Sequence, residues 1–215
     1  MALKLLAKKQ MSILFLTTIA MVLPVYFKEP IKKNLQRIII TPEQLPTQTT
    51  DALYFLGGGT GSTLAHIARA GDFFQSNLTS KILYYKSREK WYYVPEWNRN
   101  ITRNEWTLER LDNVGIKEEH VQAIIVKKGA FGTLSEARSV SNYCYKNKYK
   151  SIILVCSPCH SRRVALCFGH YLEKHSISMY IAHSDDPFWL RETLLELFKI
   201  QVYRAIIYFD KKSRK

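Results

Sequence analysis

Ser151-Ile-Ile-Leu-Val-Cys156 is an uncharged, almost unbroken apolar run that leads into a turn and then an amphipathic stretch, Val164 to Leu172. A strand with apolar residues on both sides has to be covered on both faces. The pattern recurs along the chain. Asp51-Ala-Leu-Tyr-Phe-Leu56 runs into Gly57-Gly58-Gly59-Thr60-Gly61-Ser62, and a helical pattern follows from Thr63 to Gln75. Lys81 to Tyr85, Gln122 to Val126 and Ile177 to Ala182 read as further strands. Helices are expected from Asn104, as cap, to Leu111, from Thr133 to Lys146, from His160 to Leu172, and along Pro187 to Phe209. Arg88 to Asn104, with Trp91, Tyr92, Tyr93 and Trp97, is a polar, aromatic insertion. Strands alternating with helices predict an α/β domain of Rossmann-like, doubly wound type with a mostly parallel sheet.

The rest of the chain frames that domain. Met11 to Phe27 carries no charge and follows Lys4, Lys8 and Lys9. This predicts an uncleaved signal anchor within residues 1–28, a single transmembrane helix, with a cleaved signal peptide as the alternative. Lys28, Lys32, Lys33 and Arg37 flank the other end, so charge does not set the orientation. Residues 29–50, with three prolines and an Ile38-Ile39-Ile40 run that could add a strand, read as a juxtamembrane linker. The domain is placed at 51–210 and a basic tail at 211–215. The chain's 215 residues, 47% of them hydrophobic, can bury one core. A net charge of +14 favours anionic partners. The basic residues are scattered and no nucleic-acid-binding motif is present, so nucleic acid is not expected.

Ligands of such sheets bind beyond the carboxyl ends of the strands. Three motifs fall there. The Gly57–Ser62 loop would let backbone amides approach a phosphate or carboxylate. Thr133-Leu-Ser-Glu136 has a simpler explanation as a helix capping box, and taken alone that explanation is preferred. His160 and Arg163, at i and i+3, share a helix face and could serve as proton donor and anion clamp. The turn between them and the strand also holds Cys156-Ser-Pro-Cys159. That pair could be a redox dithiol at a helix N-terminus, and with His160 it formally matches a haem-attachment pattern. A haem has little room there, and a zinc site would need a second ligand pair, so no metal and no particular cofactor is assigned. Four cysteines are too few for a disulfide scaffold, and Cys144 and Cys167 read as core residues. Asn77-Leu-Thr79 and Asn100-Ile-Thr102 are sequons that matter only in a eukaryotic secretory pathway.

The order of these motifs resembles the YdcF/SanA/ElyC-like family of bacterial envelope proteins. Asp51-Ala-Leu-Tyr-Phe-Leu-Gly-Gly-Gly59, Thr133-Leu-Ser-Glu136-Ala137, Ile153-Leu-Val-Cys-Ser157-Pro-Cys-His160-Ser-Arg-Arg163 and the Trp189–Tyr203 stretch with Glu196 carry the resemblance. It implies a Rossmann-like domain in the periplasm, behind one helix in the bacterial inner membrane. It also implies a link to cell-envelope and peptidoglycan integrity and to lipid-carrier metabolism. Departures are Arg69 well inside the first helix, Ser87-Arg88 where the family has glycines, and cysteines at 156 and 159. Three readings follow. In the first, the chain binds, and could process, an anionic ligand such as a lipid-linked phosphate or nucleotide-like molecule. Gly57, Gly58, Gly59, Thr60, Gly61, Ser62, Thr133, Ser157 and Arg163 would hold it, with His160 and Glu136 catalytic. In the second, Cys156 and Cys159 make a periplasmic thiol oxidoreductase. In the third, the chain is an envelope scaffold without activity.

Overall fold

The computed structural model describes residues 33–87, 89–95, 98–126, 129, 131–186 and 190–212. The chain divides into two compact units, residues 1–38 and 39–215. The anchor expected within residues 1–28 lies outside the described residues. Among the described residues, no helix is long and apolar enough to cross a membrane. Residues 33–39 are helical, so the Ile38–Ile40 run is not the added strand. That role falls to Gln44, whose backbone makes an isolated antiparallel bridge with Ile181 at the sheet edge.

In the second unit the elements run β1 (Ala52–Phe55), α1 (Thr60–Gln75), β2 (Ile82–Tyr85), β3 (Lys90–Val94), β4 (Arg99–Thr102), α2 (Arg103–Asn113), β5 (Val121–Ile124), α3 (Gly132–Lys146), β6 (Ser151–Cys156), α4 (Ser161–Leu172), β7 (Ser178–His183) and α5 (Leu190–Lys212). Five strands form one parallel sheet in the order β5-β2-β1-β6-β7. The parallel, doubly wound α/β arrangement expected from the apolar runs is therefore present. The insertion folds as an antiparallel β3–β4 hairpin, docked by Trp91 against Trp106 of α2 with ring centroids 5.9 Å apart.

Strand alternation explains why both faces of the sheet are apolar. Leu53, Phe55, Ile153 and Val155 pack with Ile67, Ala70 and Phe73 of α1 and Leu111 of α2. Ala52, Tyr54, Ile152 and Leu154 face the other way, onto Ala137 and Val140 of α3 and Val164, Cys167 and Phe168 of α4. Burying each large apolar side chain contributes roughly 1.5–3 kcal/mol. Asp51 belongs to this framework. Its carboxylate accepts from the amides of Lys150 (2.7 Å) and Ser151 (2.9 Å), tying the amino ends of β1 and β6 together.

Two helix starts differ from expectation. α2 is capped by Thr102, not Asn104. The Thr102 hydroxyl accepts from the Glu105 amide and the Glu105 carboxylate accepts from the Thr102 amide. Asn104 instead accepts from the Tyr84 hydroxyl at 2.6 Å. α3 has the reverse history. Phe131 is its N-cap and no side chain caps it, so Thr133 and Glu136 do not form the expected capping box.

Candidate functional site at the carboxyl edge of the sheet

The chain winds outward in opposite directions from β1 and β6, which makes their carboxyl ends the natural crevice of the sheet. Three segments leave the sheet there: Gly57–Gly59 after β1, Ser157–His160 after β6, and Ser184–Asp186 after β7.

The glycine loop is exposed and leads into α1 with Gly59 as N-cap and no side-chain cap. Thr60, Gly61 and Ser62 form the first turn of α1, where backbone amides lack intrahelical partners. None of these glycines has a positive φ. A Cβ at Gly58 would meet Ser62 Cβ at 3.1 Å, whereas around Gly59 and Gly61 there is nothing within 4 Å. The fold itself therefore asks for glycine at 58 but not at 59 or 61.

Two charged groups flank the loop. Arg103, the first residue of α2, donates to the Gly58 carbonyl and, at 3.2 Å, to the Thr63 hydroxyl, and lies over the Trp91 ring. A cation at the first position of a helix opposes the helix dipole, so this arginine is placed against local preference. Glu136 projects from α3 to the opposite side, its Oε1 3.9 Å from where a Gly57 Cβ would sit. Burial raises the Glu136 pKa to about 7, against the pull of Arg163 and Arg103. The fully buried Tyr54 hydroxyl has no hydrogen-bond partner among the described residues. Burial, then Glu136 and Tyr85, push its pKa well up. A cavity of ≈ 160 Å³ lies between loop and α2, lined by Gly57, Gly58, Thr63, Tyr84, Tyr85 and Arg103 among others. Pockets for whole drug-sized ligands are about 300–1,000 Å³, so this one suits a single phosphate or carboxylate group.

His160 and Arg163 meet at a second point, on Glu196 of α5, and Thr133 joins them through Arg163. Arg163 donates through Nε to Glu196 Oε2 (2.7 Å), through Nη2 to Oε1 (3.2 Å), and through Nη1 to the Thr133 hydroxyl. Lys199 donates to Glu196 Oε1 at 2.7 Å. His160 Nδ1 lies 3.3 Å from the same oxygen. Glu196 is 1% exposed. Burial pushes its pKa up, but His160, Arg163 and Lys199 outweigh burial and hold the carboxyl well below the usual carboxylate range. Arg163 is thus engaged by the chain's own carboxylate, and the carboxylate beside His160 is Glu196 rather than Glu136.

Ser157 sits in a third, buried cluster. Its hydroxyl donates to Asp186 and lies 3.2 Å from His66 Nε2. His66 Nδ1 is 2.7 Å from the Leu56 carbonyl, which can only accept, so Nδ1 carries a proton. Asp186 also accepts from Ser184 at 3.2 Å. The His66 hydrogen bond, then the two serine hydroxyls against burial, lower the Asp186 carboxyl to about 2. This cluster fastens the β6 turn to the end of β1. His66 and Asp186 are absent from the sequence reading, as is Arg103. The legible signal was a histidine on the buried face of α1, in register with Ile67, Ala70 and Phe73.

The thiols are buried and free. Burial pushes Cys156 far up and Cys159 to about 11, the opposite of what a nucleophilic thiolate needs. Among the described residues, no group of three His, Cys, Asp or Glu side chains could hold a metal ion.

No protein-family model matches the chain, and no curated protein matches it. Among solved structures, a universal stress protein in complex with cAMP overlaps it with a TM-score of 0.38 and 12% identity, over 64% of this chain and 100% of that one. At that level of likeness nothing about ligands or residue roles carries across.

Proposed function

We propose that this chain binds a phosphate- or carboxylate-bearing ligand at the Gly57–Gly61 loop. The α1 amides and Arg103 would neutralise its charge, and Glu136 would act as general acid or base. The observation that carries this reading is Glu136. Its helix is uncapped, its carboxyl turns to the glycine loop, and no hydrogen bond to it is made among the described residues. A carboxyl raised to about 7 exchanges a proton near neutrality. Arg163 and Glu196 then act as a positioning pair behind Thr133 and His160. The resemblance to YdcF/SanA/ElyC-like proteins supports a lipid-linked phosphate or nucleotide-like molecule as ligand. It also supports a place in the bacterial inner membrane with the domain in the periplasm, linked to the cell envelope.

The test is a thermal-shift and calorimetric panel on the full chain in detergent, with isoprenoid phosphates, nucleotides and S-adenosylmethionine. Gly59→Ala and Gly61→Ala place methyl groups in open space, so the fold is expected to persist while affinity falls. Arg103→Ala, which removes a charged hydrogen-bond donor, is expected to weaken binding about ten- to a hundredfold. A ligand held equally well by all three variants would place the site elsewhere.

A further inference from the structure

Helix α5 is apolar on two sides. Its inner side buries Ile200, Tyr203 and Ile207, with Thr193 and Glu196, against the domain. On the opposite side Leu194, Phe198 and Val202 follow one another at four-residue intervals, flanked by Leu195 and continued by Phe209. Phe198 is 71% and Phe209 65% exposed. A surface helix needs only one apolar stripe, and a second one facing outward marks an interaction surface. From residue 194 to 209 this stripe runs about 22 Å at the helical rise.

Charge decides what covers it. Arg204, Lys211 and Lys212 are exposed on the carboxyl-terminal half of the helix, against one exposed carboxylate, Glu192, near its start, and the chain as a whole carries +14. Asp210, an acidic residue of this helix, is turned to His170 at 2.7 Å. The helix is not apolar enough to span a bilayer, and its inner side is already occupied.

We propose that the outer face of α5 lies on an anionic bilayer surface. Its aliphatic and aromatic side chains enter the headgroup region and its lysines and arginine meet lipid phosphates. This contact is separate from any anchor in residues 1–28 and does not depend on the ligand reading above. It would also turn a groove of ≈ 400 Å³, lined by Phe131, Thr133, Arg163, Phe198 and Tyr203 among others, toward the headgroups.

The test uses the full chain reconstituted into vesicles of phosphatidylethanolamine with phosphatidylglycerol, or of phosphatidylcholine alone. A solvatochromic label goes on Phe198→Cys, and a control label on Leu64→Cys of α1. The label at 198 is expected to shift to the blue and to be quenched by spin-labelled lipid only with phosphatidylglycerol. The control is expected to do neither. Arg204→Glu with Lys212→Glu, both exposed positions, is expected to abolish the shift. In the unmodified chain, amide exchange across 194–209 is expected to slow on the anionic vesicles. The proposal is overturned by a label at 198 equally wet on both vesicles, or by unchanged exchange. It is also overturned by a shift that grows with protein concentration in detergent, which would mark a second copy.

Discussion

In Thr102-Arg103-Asn104-Glu105 the Thr102 hydroxyl accepts from the Glu105 amide at 3.1 Å, and the Glu105 carboxylate accepts from the Thr102 amide at 2.7 Å. In Thr133-Leu134-Ser135-Glu136, the same residue pattern near the start of a helix, neither bond forms. Thr133 accepts from Arg163 instead, and Glu136 turns to the glycine loop. The difference lies in where the helix begins. Thr102 is extended, at φ −82° and ψ 158°, outside α2, whereas Thr133 is already inside α3, behind Phe131 and Gly132. A shift of two positions relative to the cap frees both side chains for tertiary partners. A capping motif at a strand-to-helix junction of this sheet can therefore be a site in disguise.

The two segments should break differently. The largest effect is expected at Glu196, which holds Arg163 and through it Thr133. Glu196→Ala leaves a mostly buried guanidinium unpaired and is expected to cost about 3–5 kcal/mol in denaturant unfolding. A loss under about 1 kcal/mol would mean that α3 needs no such support.

Next come the two glutamates, whose pH dependences have opposite sign. Glu136 is raised from 4.5 to about 7. Its contribution to stability is complete below pH 4.5 and disappears as pH rises through about 7. Unfolding of the native chain is expected to lose on the order of 2 kcal/mol over that window, relative to Glu136→Gln. Glu105 is lowered to about 2, first by Arg99 and then by Thr102. Its contribution is present above pH 4.5 and is lost as pH falls toward 2. Glu105→Gln is therefore expected to diverge from the native chain on the alkaline side of that window. Matching pH profiles for the two variants would erase the distinction.

Thr102→Ala should cost about 1 kcal/mol, the usual worth of a lost N-cap. Alanine scanning by thermal melts would show whether α2 depends on its cap in this way. The smallest effect is expected at the cysteines. With their thiols buried and pushed up, none of the four should react with iodoacetamide in the native chain at neutral pH, as mass spectrometry would show. Rapid alkylation, or a disulfide joining Cys156 and Cys159 in graded redox buffers, would revive the thiol reading.

How far each part was legible follows from the reach of its contacts. The strands were readable because Ser151–Cys156 and Asp51–Leu56 are apolar on both faces, a pattern that names its own environment. The hairpin at Lys90–Thr102 was not, because its alternation is broken by polar residues and it pairs in a sheet of its own. Arg103 stands beside Asn104, the residue expected as cap, and His66 stands next to Ile67 with nothing local to mark its distant partner Ser157. Asp186 lies 29 residues from its partner Ser157, and nothing local to it marks a site.

The sequence by itself determined the parallel α/β class, the positions of the strands in the main sheet, the buried character of Cys144 and Cys167, and the glycine loop after β1. Each of those rests on residues a few positions apart. Only the tertiary structure decided what Thr133, Glu136, Ser157 and Arg163 touch. The Thr102–Glu105 cap closes over three residues, but Arg163 reaches its partners across 30 and 33, and His66 reaches Ser157 across 91. A bond of that span exists only once the sheet has brought its carboxyl ends together.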